Sequence, residues 1–189
     1  MLKKTLTGLC LALAMTTFAQ EHEVSPPNDG MNFSYSEVVD VNGATKDQLF
    51  KSARAWVLDN YGIKKQEAGV IYTDDSYLGQ IAASPIMWVF VNSMGSNINA
   101  GSVSYNIMIS AKEGKYKYEI NDFYHESNRS VYGTGGTLTD EKPDCPEEEM
   151  SELIWTQIKE DSKKKTELLI ASLKEKLAEA GNHIEGEDW

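Results

Sequence analysis

The sequence predicts an α+β two-layer sandwich: an antiparallel sheet of about five strands with two helices on one face, in the order β-α-β-β-β-β-α. Three observations predict it. Two segments, one early and one at the end, carry apolar residues at helical spacing. Between them, successive segments alternate apolar and polar residues, as half-buried strands do. Turn signals such as Asn42-Gly43, Asp75-Ser76 and Glu113-Gly114 punctuate the series. The chain has 189 residues, which suits one domain of ordinary size.

Structure is expected to begin near Phe33. Phe33, Tyr35, Val39 and Val41 share one parity and Ser34, Ser36 and Asp40 the other, which is a strand with one buried face. Thr45, followed three residues later by Gln48, is a capping box, and Leu49, Phe50, Ala53, Trp56, Val57 and Tyr61 recur at helical spacing up to Gly62. Ala68 to Asp74 is strand-like through Val70, Ile71 and Tyr72. Tyr77 to Ser93 is a long segment interrupted by Pro85, which predicts a bulge or an edge there. Met94 to Gly101 reads as a loop. Ser102 to Ala111 and Lys115 to His125 alternate as a hairpin, with Tyr116, Tyr118, Ile120 and Tyr124 assigned to one side of the second strand. Arg129 to Asp144 reads as a loop with a short extra strand at Val131-Tyr132. Pro146 is expected to open the final helix, capped by Asp144 or Cys145. Its apolar stripes are Met150, Leu153, Ile154 and Ile158, then Leu169, Ile170, Leu173 and Leu177, with a polar stretch at 162–167 that suggests a kink or a solvent-bridging turn.

The first nineteen residues read differently. Lys3 and Lys4 precede the short apolar run from Leu6 to Met15, and Thr17-Phe18-Ala19 offers small residues for cleavage before Gln20. This is the pattern of a secretory signal peptide, and the run is too short to span a bilayer. The division that follows is 1–19 signal peptide, 20–32 flexible spacer, 33–180 folded domain and 181–189 flexible tail. The expected location is the periplasm, cell envelope or extracellular space, with no transmembrane span after cleavage. Lipidation at Cys10 is rejected because bulky Leu9 stands where a small residue is needed. Losing Cys10 leaves Cys145 alone, so no internal disulfide can form.

Charge narrows the function. With 18 Lys and Arg against 29 Asp and Glu, the net charge is −11, and cleavage makes it more negative. Such a surface repels nucleic acid and anionic lipid, because both are bound by neutralising phosphates with cations.

Several segments resemble a known family. Phe33 to Lys46, the helix carrying Leu49-Phe50, Ala53-Arg54-Ala55 and Trp56, and Gly114-Lys115-Tyr116-Lys117-Tyr118 are similar to a bacterial domain family of unknown function with a TATA-binding-protein-like (TBP-like) fold. The likeness covers about Phe33 to His125, and the last helix also fits. Lys117 stands where the family pattern suggests Arg, which weakens a bidentate grip on an anion. The resemblance implies a fold and a secreted context, and no activity.

The chemistry-bearing residues are few. Of three histidines, His22 lies in the spacer and His183 in the tail, so only His125 sits at a strand end. An acid–base site would pair it with Asp122 or Glu126 and make the protein a hydrolase; the plainer reading is a structural or exposed histidine. Cys145 lies among carboxylates, which raise a thiol pKa and blunt its nucleophilicity. Asp140, Glu141, Asp144, Glu147, Glu148 and Glu149 form an oxygen-rich cluster, but their spacing is not that of an EF-hand, and acidic residues also favour a helix N-terminus. No metal or cofactor is therefore expected.

The most informative anomaly is the segment from Ile86 to Val91, which is apolar at every position. Trp88 and Phe90 face one side of the sheet, Met87, Val89 and Val91 the other, and the helices can cover only one side. Either the loop near Tyr132 or the termini cover the second side, or an apolar patch is exposed there, which marks a binding site. The final helix, read as roughly 34 residues and about 50 Å long, also suits association with another chain. The leading expectation is a non-catalytic binding module whose partner is a small ligand or an envelope protein. A hydrolase at His125 and a structural envelope component assembling through its last helix are the alternatives.

Overall fold

A computed structural model describes residues 32–61, 70–128 and 130–182. The signal peptide, most of the spacer and residues 183–189 of the tail lie outside the described residues. Strand β1 (Tyr35–Asp40) leads into helix α1 (Lys46–Tyr61), then β2 (Ile71–Asp75), β3 (Gln80–Ala83), β4 (Ile86–Ser93), β5 (Ser96–Lys112), β6 (Lys115–Glu126), β7 (Gly136–Thr137) and helix α2 (Glu152–Ala178). A short 3-10 turn, Glu179–Asn182, follows α2.

The α+β class holds, with seven antiparallel strands instead of about five. Long β5 and β6 pair along their lengths and form the spine. On the far side of β5, β3 and β4 lie end to end, β3 against residues 107–110 and β4 against 96–104. β1 and β7 flank β6 in the same way, and β2 adds to β3.

Proline explains the first break. Pro85 has no N–H to give a ladder, so the segment expected as one strand divides into β3 and β4 there. The loop expected at 94–101 is instead strand. Met94 and Gly95 both take left-handed φ values of 52° and 80°, so two residues reverse the chain and β5 starts at Ser96.

A bulge changes the parity of β6. Asp122, at φ 57°, and Phe123 together oppose Tyr105, so Tyr116, Tyr118 and Ile120 face the helices before the bulge and Phe123 and His125 after it. Tyr124, assigned to that face by simple alternation, points to the other. The extra short strand lies at Gly136–Thr137, not Val131-Tyr132.

Both helices cover one face. The capping box forms: the Thr45 N–H donates to Gln48 Oε1 (2.8 Å) and the Gln48 N–H to Thr45 Oγ1 (3.2 Å). α1 buries Leu49, Phe50, Ala53, Trp56 and Val57 over β3 and β5. α2 starts later than expected, at Glu152, with Ser151 as its cap, because Pro146 to Met150 is spent on a turn. It is also unbroken. Ser162 and Thr166, expected at a kink, are fully buried and return their hydroxyl protons to the carbonyls of Ile158 and Ser162. Trp155, Ile158, Leu173 and Leu177 complete one buried stripe, while Leu153 faces solvent. No described helix is long and apolar enough to cross a membrane.

Candidate functional site: the groove beside strand β4

β4 is an edge strand, and an open edge carries unpaired N–H and C=O groups. α2 lies along this edge and supplies partners from one stripe of its surface. Gln157 Oε1 accepts the Asn92 N–H (2.8 Å), Asp161 Oδ2 accepts the Phe90 N–H (2.9 Å), and the Lys165 ammonium donates to the Trp88 carbonyl (2.7 Å). Spacing of four residues puts all three on one line of the helix. Asp161 also pairs with Lys165 at 2.6 Å, and that ammonium lies 4.9 Å from the centre of the Phe90 ring.

Where α2, the end of α1 and β4 meet, the surface sinks into a groove of about 470 Å³. Its walls include Val70, Pro85, Met87, Trp88, Phe90 and Leu169, and Lys165 stands among them. Tyr61 and Tyr105 supply its hydroxyls, 3.0 Å apart. Burial raises both phenols, Tyr105 to about 12, so both stay protonated at neutral pH. Trp88 and Phe90 keep 47% and 41% of their surfaces exposed, and Ile86 beside them is also open. Parity turns these three away from the helices, while Val89 and Val91 are buried beneath them.

The alternative acid–base site at His125 is not assembled. His125 is 0% exposed. Its Nδ1 accepts the Gly135 N–H (2.9 Å) and its Nε2–H donates to the Ala100 carbonyl (2.6 Å). Its ring meets Trp155 edge-on at 5.9 Å. Burial holds the imidazole below its ordinary pKa, against smaller opposing effects of the Ala100 hydrogen bond and the Glu126 charge. Asp122 instead accepts from Asn106 Nδ2 at 2.9 Å, and Glu126 is exposed on the opposite parity. With both nitrogens held by backbone, His125 has no capacity left to move a substrate proton. The His125 pairing on which the alternative hydrolase reading rested is therefore not formed.

The acidic loop is partly spent on structure. The Asp140 carbonyl accepts from Trp155 Nε1 (3.1 Å) and from the buried Lys159 ammonium, and Lys142 pairs with Glu152 at 2.8 Å. Among the described residues, no three His, Cys, Asp or Glu side chains converge in a way that could hold a metal. Cys145 is half-buried, and burial, then Glu149 and Asp144, raises its thiol pKa. Lys117 pairs with Glu119 at 2.8 Å.

Sequence reasoning singled out Trp88 and Phe90 and missed the groups gathered around them. Gln157, Asp161 and Lys165 carry a signal, a four-residue polar repeat, but an exposed helix face shows the same one. Nothing in the sequence pairs Tyr61 with Tyr105, since their meeting depends on how the end of α1 packs over β5.

With this geometry in hand, comparison decides the family. Residues 35–126 match the family model described as a domain of unknown function (DUF4468) with TBP-like fold. These residues form a DUF4468 domain. No curated protein matches the chain. Among solved structures, it is similar to a TBP-like protein from Parabacteroides distasonis ATCC 8503, at 19% identity and a TM-score of 0.60, covering 80% of this chain and 96% of that one. It is also similar to a DUF4468 family protein from Bacteroides ovatus ATCC 8483, at 14% identity and a TM-score of 0.53, covering 86% and 93%. At these identities the likeness concerns the fold, and the DUF4468 description carries no activity to transfer.

Proposed function

We propose that this DUF4468 protein is a non-catalytic binding module that works outside the cytoplasm, and that its binding seat is the groove beside β4. One observation carries the reading: Trp88 and Phe90 stand half-exposed at a concave apolar surface, where an ordinary monomer would bury them or replace them. His125, by contrast, is closed in backbone bonds and does not form the acid–base pair of the alternative reading.

Export rests on the charge and apolar pattern of residues 1–19. Expressing the full chain in a bacterium with an intact secretion pathway tests it. The mature protein should be recovered outside the cytoplasm with Gln20 as its first residue, and a cytoplasmic protein still beginning at Met1 would end that part of the proposal. Binding is tested by the paired change Trp88→Ser and Phe90→Thr. Retained stability with lost binding of an apolar fluorophore, N-phenyl-1-naphthylamine, supports the groove. A collapse of stability would place both rings in the core and remove the site.

A further inference from the structure

The groove holds a hydroxyl donor that the described residues do not use up. Tyr61 and Tyr105 hold two hydroxyl protons between them. Their single mutual hydrogen bond, at 3.0 Å, spends one. Neither residue makes another hydrogen bond among the described residues, so one proton has no acceptor among them. Both residues line the groove, and most of the other lining residues are aliphatic or aromatic, with Asn60 and Lys165 the polar ones among those described. An apolar site with one unspent donor selects an apolar molecule that carries one acceptor.

Charge refines the choice. Lys165 is the cation of the groove, and Asp161 at 2.6 Å neutralises it while the Trp88 carbonyl takes another of its protons. An anionic head would have to compete with Asp161 for that ammonium, in a chain whose net charge is already −11. An uncharged acceptor meets no such competition.

We infer that the groove takes a small, uncharged, apolar molecule with its carbonyl or ether oxygen seated on the Tyr61–Tyr105 hydroxyl pair. The inference rests on the groove being a binding site at all, and the test separates the two questions. A volume near 470 Å³ accommodates a body the size of a phenylbutyl group. Walls of Val70, Pro85, Met87 and Leu169 lower the polarity around the bond, which strengthens it.

The experiment uses the full chain, with N-phenyl-1-naphthylamine as fluorescent reporter and three competitors that share one apolar body. These are butylbenzene without an acceptor, 4-phenylbutan-2-one with a neutral carbonyl, and 4-phenylbutanoate with a charged head. The ketone should displace the reporter roughly fivefold to tenfold better than the hydrocarbon, the worth of one well-made hydrogen bond. Changing both tyrosines, Tyr61→Phe and Tyr105→Phe, should erase that difference between ketone and hydrocarbon. Leu169→Trp fills the groove without touching the hydroxyls and should block all three competitors; it remains informative if the double variant does not fold. Equal displacement by ketone and hydrocarbon in the unaltered protein overturns the inference while the groove stands. So does preference for the carboxylate, which would make Lys165 the head's partner. A reporter that does not bind the unaltered protein sinks the groove and this inference together.

Discussion

The contact of His125 with Trp155 and the groove beside β4 use the same kinds of side chain, and they end in opposite states. At the first, an imidazole and an indole close on each other, and every polar atom finds a backbone partner: Ala100, Gly135 and Asp140 serve the two rings. At the second, an indole and a phenyl ring stay half in water, and a hydroxyl proton finds no acceptor among the described residues. The lesson concerns accounting. A histidine is a common emblem of catalysis, but its nitrogens here are committed to the fold, so its chemistry is structural. Two ordinary tyrosines keep hydrogen-bonding capacity that no described residue takes up.

The largest effect should come from opening the closed region. Trp155→Ala removes a fully buried indole and its bond to Asp140, and should cost about 3–5 kcal/mol in urea-induced unfolding. Gly135 reports on the same contact, since a β-carbon there would come within 2.3 Å of the Trp155 ring. A Trp155→Ala loss below about 1 kcal/mol would show that the region is not closed, and the contrast with the groove would fail.

Next is His125. Its imidazole is held below the ordinary value of 6.5, so the folded state prefers the neutral ring. The stability this provides is complete above the unfolded-state value and is lost as pH falls through the lower folded value. Stability measured by urea titration should therefore decline below about pH 6.5. His125→Leu should lower stability at neutral pH, by roughly 1–3 kcal/mol for each backbone group left unpaired, and should flatten this segment of the pH profile. A profile unchanged in His125→Leu would mean that carboxylates elsewhere govern acid unfolding.

A smaller loss should follow at the groove's border. Asp161→Ala leaves the Phe90 N–H without its acceptor and frees Lys165, at a cost of about 1 kcal/mol, because solvent can replace part of what is lost. Hydrogen exchange at the Phe90 amide should accelerate by a larger factor than exchange at Val89, which lies inside the strand pairing. Equal acceleration would indicate that α2 supports β4 by packing and not through these bonds.

Much of this architecture is written in local patterns, and what escaped is non-local. Thr45 and Gln48 announce the first helix from three residues apart, and Pro85 announces a break in the sheet. The bulge at Asp122 does not announce itself: Lys115 to His125 alternates well enough to hide a change of face, and Tyr124 was assigned to the wrong side. Ser162 and Thr166 mislead for another reason. Their hydroxyls count as polar in a sequence, but a helix can absorb them into its own backbone and bury the methyl and methylene that remain. Trp88 and Phe90 were legible because a strand has two faces and two helices cover one. Tyr61 and Tyr105 were not, since 44 residues separate them and only packing brings their hydroxyls together.

The smallest expected effect on stability is also the one that most sharpens the comparison. Trp88→Ser removes an indole as large as that of Trp155, but about half of its surface is already in water, and its backbone bond to Lys165 does not depend on the side chain. The loss should stay below about 1 kcal/mol, several times less than for Trp155→Ala. If the two tryptophans differ in this way, one ring is maintained for folding and the other for something folding does not need. Intrinsic fluorescence offers a parallel reading, since the indole of Trp88 should be open to quenching by acrylamide while that of Trp155 is shielded. Equal losses for the two variants would mean that the exposed half of Trp88 is incidental and that its buried half supports β4. The ring would then belong to the fold, and the groove would lose its most exposed aromatic wall.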